Sequence, residues 1–199
     1  MIHLKWIIWT EKALTLREPL TRERIIEAAL HIIDGQGLGR LTMRRLGDAL
    51  EVEAMAIYHH LPRGKEELLD GLVAHVAALT ADTRPLGGED WRTRIRDWAD
   101  QYRERLIEHS GVLPLLLTRR NPVALATTDR SLREVLRLAG FLEAATAPAA
   151  HTLLSYLIGH AALEARARSR NDPDTTVDWD RQFHAGLDVI LAGMLTALL

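Results

Sequence analysis

Arg44, Tyr58, His59, His60 and Lys65 fall within one stretch, TMRRLGDALEVEAMAIYHHLPRGKEELLDGLVAHV, that gathers cations, imidazoles and a phenol around two short apolar periods. Lysine and arginine neutralise phosphates, imidazole and phenol donate hydrogen bonds, and small apolar side chains such as Met55 and Ala56 suit thymine methyls. No other cluster of reactive side chains has matching support. Ser155 and His151 form an i, i+4 pair on a helical pattern, but no nucleophile elbow, glycine-rich phosphate loop or metal cluster accompanies them. His109, His151 and His160 are scattered without metal-ligand spacing, so no metal and no cofactor is expected. The absence of cysteine excludes disulfides, thiolate zinc sites and thiol catalysis, and it suits a reducing cytoplasm.

The elements that would position these side chains are helical. Alternating β-branched runs and Asn-Gly or Asp-Gly hairpins are missing, which predicts an all-α chain. A first helix opens at Thr21, an N-cap type, buries Ile25, Ala28, Ala29, Ile32 and Ile33, and stops at Gly35-Gln36-Gly37. A second starts at Thr42 with Leu46 and Leu50 inward, and a third spans Ala54 to His60 after a tight turn. Pro62 and Gly64 then break the chain before a longer helix from Lys65 to Thr80. Two helices of about two turns, braced on both sides, follow the helix-turn-helix plan. The second fits a major groove, with Ala54, Met55, Ala56, Tyr58, His59 and His60 outward and Ile57 and Leu61 inward.

At these residues the chain resembles the tetracycline-repressor (TetR) family. The family order reads here as Thr42, Arg44, Leu46, Leu50 and Val52, then Ile57-Tyr58 with His60, and Lys65 before Glu67-Leu68-Leu69. The resemblance implies a repressor of double-stranded operator DNA, with Arg44, Tyr58, His60 and Lys65 on phosphates and Met55, Ala56 and His59 nearest the bases; Thr42 and Ala54 open the two helices. There are two departures, Gly47 where alanine is usual and Glu51 where the turn usually carries glycine. A non-glycine in a left-handed turn costs on the order of 1 kcal/mol. Because the third helix carries no Arg, Asn or Gln, specificity should lean on apolar contacts, histidine and DNA shape.

Beyond ADTRPLGGED, the clearest linker-like stretch, the pattern gives long helices at about 90–108, 122–139, 147–169 and 178–199, with a short segment at Pro114. This body resembles a TetR-type C-terminal domain through Trp91, Trp98, Tyr102 and Leu106, the Thr118-Arg119 phrase, SYLIGHAALE and FHAGLDVILAGML. The resemblance implies a homodimer through the last helices, for which Ile190, Leu191, Met194, Leu195, Leu198 and Leu199 are suited, and an unknown small-molecule effector. Trp98, Tyr102 and Leu106 at i, i+4 and i+8, with Leu115, Tyr156 and His160, are the candidate ligand residues; plain core packing is the competing reading at each. A tetracycline–magnesium chelate is not expected, since the two histidines that would grip it fall at Leu115 and near Ala81.

The division expected is an extension over 1–20, a helix-turn-helix head over 21–80 and an effector and dimerisation body over 81–199. The extension MIHLKWIIWT reads equally as a packed arm, a frayed end or a start-site artefact; it lacks a basic leader and is too short to span a bilayer, so no membrane partner is expected. A formal net charge of −2 excludes a broadly basic coat, and residues 15–65 carry eight Lys/Arg against seven Asp/Glu, so the DNA signal comes from pattern and not from charge. A helical protein-interaction module without DNA binding is the alternative, and an enzyme a more distant one.

Overall fold

In the computed structural model, described over residues 19–119, 125–169 and 177–196, the chain is helical throughout and has no strand among those residues. The helices are α1 (Arg22–Gln36), α2 (Met43–Leu50), α3 (Ala54–His60), α4 (Lys65–Ala77), α5 (Trp91–Glu108), α6 (Leu113–Thr118), α7 (Ala126–Leu138), α8 (Glu143–Ser169) and α9 (Trp179–Leu195), with single 3-10 turns at Leu38–Arg40 and Ser110–Val112. Side-chain caps set several starts. Thr21, Thr42, Asp90 and Asp178 each accept from the first-turn amides of α1, α2, α5 and α9. Gly37, at φ +83°, ends α1 with its amide on the Ile33 carbonyl.

α1, α2 and α3 close over α4 through Ile25, Ala29, Leu46, Ile57, Leu61, Leu68 and Leu72, all buried. Each large side chain among them contributes about 1.5–3 kcal/mol on burial. The same core runs on into α5, α7, α8 and α9. Head and body are therefore in contact and not strung on a linker. α1 touches the Ser110–Val112 turn, Ile33 lies over Gly111, and Arg105 on α5 donates to the His75 and Val76 carbonyls of α4 at 2.6 and 3.2 Å.

The stretch expected to be a linker is tied down. The amides of Leu79 and Ala81 donate to Thr128 and Ser131 on α7, at 3.2 and 2.9 Å. Those side-chain acceptors replace further helical bonds, which explains why α4 ends at Ala77 and not at Thr80. α8 starts at Glu143, ahead of the expected 147, and carries Pro148 inside it. The expected helices near 122 and up to 199 begin and end partly outside the described residues.

Inside the body, Glu164 is wholly buried and still charged-paired. It accepts two bonds from Arg103 at 2.9 Å and one from Arg168 at 2.5 Å, while Arg103 also reaches Asp180 at 2.6 Å and lies over the Phe183 ring. This ties α5, α8 and α9 at one point. Removing Arg103 would strip the wholly buried Glu164 of its two-bond partner, at a cost of about 3–5 kcal/mol.

Candidate nucleic-acid interface and effector cleft

The turn between α2 and α3 is tight because of what occupies two positions. Glu51 takes the left-handed conformation at φ +55°, and its amide and that of Val52 return to Asp48 and Gly47 at 3.3 and 3.0 Å. Among the described residues it is the one non-glycine at positive φ. Gly47 is buried, and a Cβ there would stand 2.8 Å from the Val52 carbonyl oxygen. The glycine that departs from the family pattern thus admits the turn at close range, while Glu51 bears the backbone strain.

α3 then points as its period predicts. Ile57 and Leu61 are wholly buried, whereas Met55 is 68% and Tyr58 39% exposed; His59 and His60 are exposed, and Ala54 and Ala56 half-buried. Met55 is a large apolar side chain left in solvent on a ridge. Tyr58 is seated on Gly64, whose buried backbone at φ +58°, ψ −129° leaves the ring no room for a Cβ, which would fall 2.7 Å from Tyr58 Cε1. The sequence shows Gly64 only as a breaker; its role as the seat of Tyr58 needs the fold.

Thr42 and Arg44 are exposed at the start of α2, and Arg44 makes no ion pair with a described residue. Lys65 is exposed at the start of α4 and donates to the Leu41 carbonyl at 3.1 Å, which draws its ammonium beside the α2 N-terminus. Two amine donors remain on it. The α2 start, the α3 ridge and Lys65 therefore border one another, as an anion-facing surface requires.

The candidate ligand residues lie elsewhere. Trp98, Tyr102 and Leu106 are core: Trp98 stacks on Tyr102 with centroids 4.9 Å apart and donates to the Leu79 carbonyl at 3.0 Å. The Tyr102 hydroxyl is buried without a hydrogen-bond partner among the described residues, and burial pushes its phenol well above its ordinary pKa. Leu115 is buried; Tyr156 donates to the Phe183 carbonyl at 2.8 Å, and His160 sits between Tyr156, Trp179 and Phe183. Burial holds His160 below the usual imidazole pKa. None of these six lines a cleft of about 540 Å³ between α6, α7 and α8, bounded by Leu116, Leu117, Asp129, Leu154 and Ile158 among others. Their regular spacing reports packing, which a period cannot separate from a pocket wall.

Comparison with known proteins decides what this arrangement is. Residues 25–72 match the bacterial regulatory proteins of the tetR family, and residues 84–175 match the tetracyclin repressor-like C-terminal domain. An HTH-type transcriptional regulator of Saccharopolyspora erythraea is 28% identical over 92% of this chain and 88% of its own length. The class C tetracycline repressor protein of Escherichia coli is 32% identical over 74% of this chain and 67% of its own. The chain belongs to the TetR family. Among solved structures, the Streptomyces coelicolor TetR family protein ActR with actinorhodin superposes at a TM-score of 0.74, 25% identical over 90% of this chain and 99% of that one. BioQ with its double-stranded DNA operator superposes at 0.66, 27% identical over 88% and 98%.

In this TetR-family chain a charged relay connects body to head, and sequence reading missed it. Arg119, just past α6, donates to Asp70 at 2.9 and 3.1 Å and to Glu66 at 2.8 Å on α4. The other Asp70 oxygen accepts from Arg63 at 3.2 Å, in the turn that follows α3. Glu67 accepts from the Arg63 amide at 3.2 Å and pairs with Arg22; Arg22 first, then that amide, holds its carboxyl below the usual range. The run of acids Glu66, Glu67 and Asp70 reads in sequence as a solvated helix face, and only the fold brings Arg119 to it.

The dimer expectation needs one correction. Leu191 and Met194 pack within the protomer, and Leu198 and Leu199 lie outside the described residues. The outward stripe on α9 is Ala185, Val189, Ala192 and Gly193, with Val189 73% exposed and Ile190 and Leu195 half-buried beside it. The expected residues were chosen for apolarity, but their own helix neighbours claim the most buried ones.

Proposed function

We propose that this chain is a cytoplasmic transcriptional repressor that holds a palindromic operator as a homodimer and is released by a small molecule. Residues 21–80 form the DNA-binding head and 81–199 the effector and dimerisation body. The observation that carries the reading is the α3 ridge, with Met55 and Tyr58 in solvent and Arg44, His60 and Lys65 around it. In two protomers this ridge would enter two major-groove segments, with Arg44, Tyr58, His60 and Lys65 on phosphates and Met55, Ala56 and His59 on base edges. The outward α9 stripe joins the α8 face carrying Thr152 and Leu163 to form the dimer contact. BioQ bound to its operator and ActR bound to actinorhodin support both halves of the scheme. No helix among the described residues is long and apolar enough to cross a membrane.

Release requires that ligand favour one of two head positions, and a coupling of about 1–3 kcal/mol suffices. The Arg119–Asp70–Arg63 relay supplies the connection, because it links the end of α6, beside the cleft, to the turn behind α3. The effector is not a tetracycline chelate. Leu115 and Ala81 are buried aliphatic groups where that ligand would need histidines. A regulatory role without catalysis is the reading throughout. The test is anisotropy of a labelled duplex drawn from upstream of the chain's own gene, titrated from low to physiological salt. Tight binding that falls about 0.9 log units per phosphate contact in log salt supports repression. Failure of the folded protein to bind any duplex at low salt leaves the protein-interaction reading in its place.

A further inference from the structure

Resting on the repressor reading above, we propose that the cleft between α6, α7 and α8 is the effector site, and that it selects a flat, mostly apolar molecule carrying a positive charge. Three observations meet there. Its volume of about 540 Å³ lies within the range of small-molecule sites. Its walls are mostly aliphatic, and Leu117, 60% exposed, projects a large apolar side chain into solvent at its edge. Among the described residues its lining carries one carboxylate, Asp129, one imidazole, His151, and no lysine or arginine.

The charge decides the class. Arg133 pairs with Asp129 at 2.8 Å along α7 but lies off the lining, so the carboxylate faces the cleft with one cation behind it. An anionic ligand would meet that carboxylate with no lysine or arginine among the described lining residues to offset it. A cationic ring system would meet a carboxylate at one end and the aliphatic wall of Leu154 and Ile158 along its face. Ser155 adds a hydroxyl for a ligand donor. The position also suits signalling, since Leu116 and Leu117 on the wall stand three and two residues from Arg119, the body end of the relay to α4.

The α7 wall offers a way to close the cleft: Ala126 lines it, is half-buried and lies off both helices of the proposed dimer contact, so Ala126→Phe puts a ring into the space. The full chain, without DNA, is titrated with 9-aminoacridine, with anthracene-9-methanol and with anthracene-9-carboxylate, a tricyclic series that is cationic, neutral and anionic. Calorimetry reads affinity, and sedimentation reads assembly. The expected order is aminoacridine, then the alcohol, then the carboxylate. Asp129→Asn should weaken aminoacridine by about fivefold, the upper range for a partly exposed pair, and leave the alcohol unchanged. Ala126→Phe should abolish binding of both while the protein stays folded and its assembly is unaltered.

Equal affinity for the carboxylate, or aminoacridine binding untouched by both variants, overturns the proposal. So does an Ala126→Phe protein that loses self-association, since the cleft would then be covered by a second copy. A chain that binds its duplex but none of the tricyclics refutes the cleft and leaves the repressor reading intact. A chain that binds aminoacridine in the cleft and no duplex does the reverse.

Discussion

Replacing Gly64 with alanine should disarm the α3 ridge without touching it. At φ +58°, ψ −129° the backbone sits where side-chain-bearing residues are strained by about 1–3 kcal/mol. The new methyl would also stand 2.7 Å from Tyr58 Cε1, against the roughly 3.5–4.0 Å of an ordinary carbon contact. The ring must retreat by about an ångström, and forcing its χ off a rotamer costs about 0.5–1.5 kcal/mol. The sum is a stability loss of about 2–4 kcal/mol, read by urea unfolding. A displaced Tyr58 would also give up the phosphate contact proposed for it. A hydrogen bond to a charged group is worth about 1.5–3 kcal/mol, so affinity for duplex should fall at least tenfold under conditions where the variant stays folded. Tyr58→Phe is the comparator: it keeps the ring on Gly64, so stability should hold while affinity drops. A Gly64→Ala protein as stable and as tight as the parent would refute the claim that Gly64 seats Tyr58 for DNA.

Other outcomes follow from the same geometry. Lys65→Ala should weaken binding to all duplexes alike and reduce the slope of log K against log salt by about 0.9, read by anisotropy across salt. Because Glu51 occupies the left-handed turn, Glu51→Gly should be more stable than Glu51→Ala by about 1 kcal/mol in urea melts. Arg119→Ala should cost about 1 kcal/mol or less in stability, its partners being partly exposed, but should uncouple ligand from DNA, so that ligand no longer changes duplex affinity. Burial lowers the pKa of both His75 and His160. The unfolded chain therefore takes up protons first, and stability present above about pH 6.5 is lost as pH falls through the folded values. Replacing both by glutamine should flatten urea stability between pH 7.5 and 5.5.

Much of the head was legible because its signals are local. Thr21, Thr42 and Gly37 act on amides within a turn of themselves, and the apolar spacing of Leu46, Ile57 and Leu61 alone fixes which way α2 and α3 face. The end of α4 was not legible, since the acceptors that stop it, Thr128 and Ser131, arrive from about 50 residues away. α8 starts at Glu143 and not near 147, just after Phe141 packs edge-on against Trp91, a contact about 50 residues apart in sequence that the local period does not carry. The same limit explains the ligand residues. Trp98, Tyr102 and Leu106 share one face whether that face meets a ligand or another helix, and here it meets helices. Arg103 with Glu164, and Arg119 with Asp70, join helices far apart in sequence, so periodicity held no trace of either pair.

The most direct test places a photoreactive group on the ridge itself. Met55 stands in solvent on α3, so p-benzoylphenylalanine can replace it without disturbing the core formed by Ile57 and Leu61. Irradiated with the upstream duplex, that protein should cross-link to bases in two symmetry-related groove segments, and an exposed site off the ridge, at His31 on α1, should not. Cross-links from His31 in place of Met55, or none to DNA from a protein shown to be folded, would contradict the account.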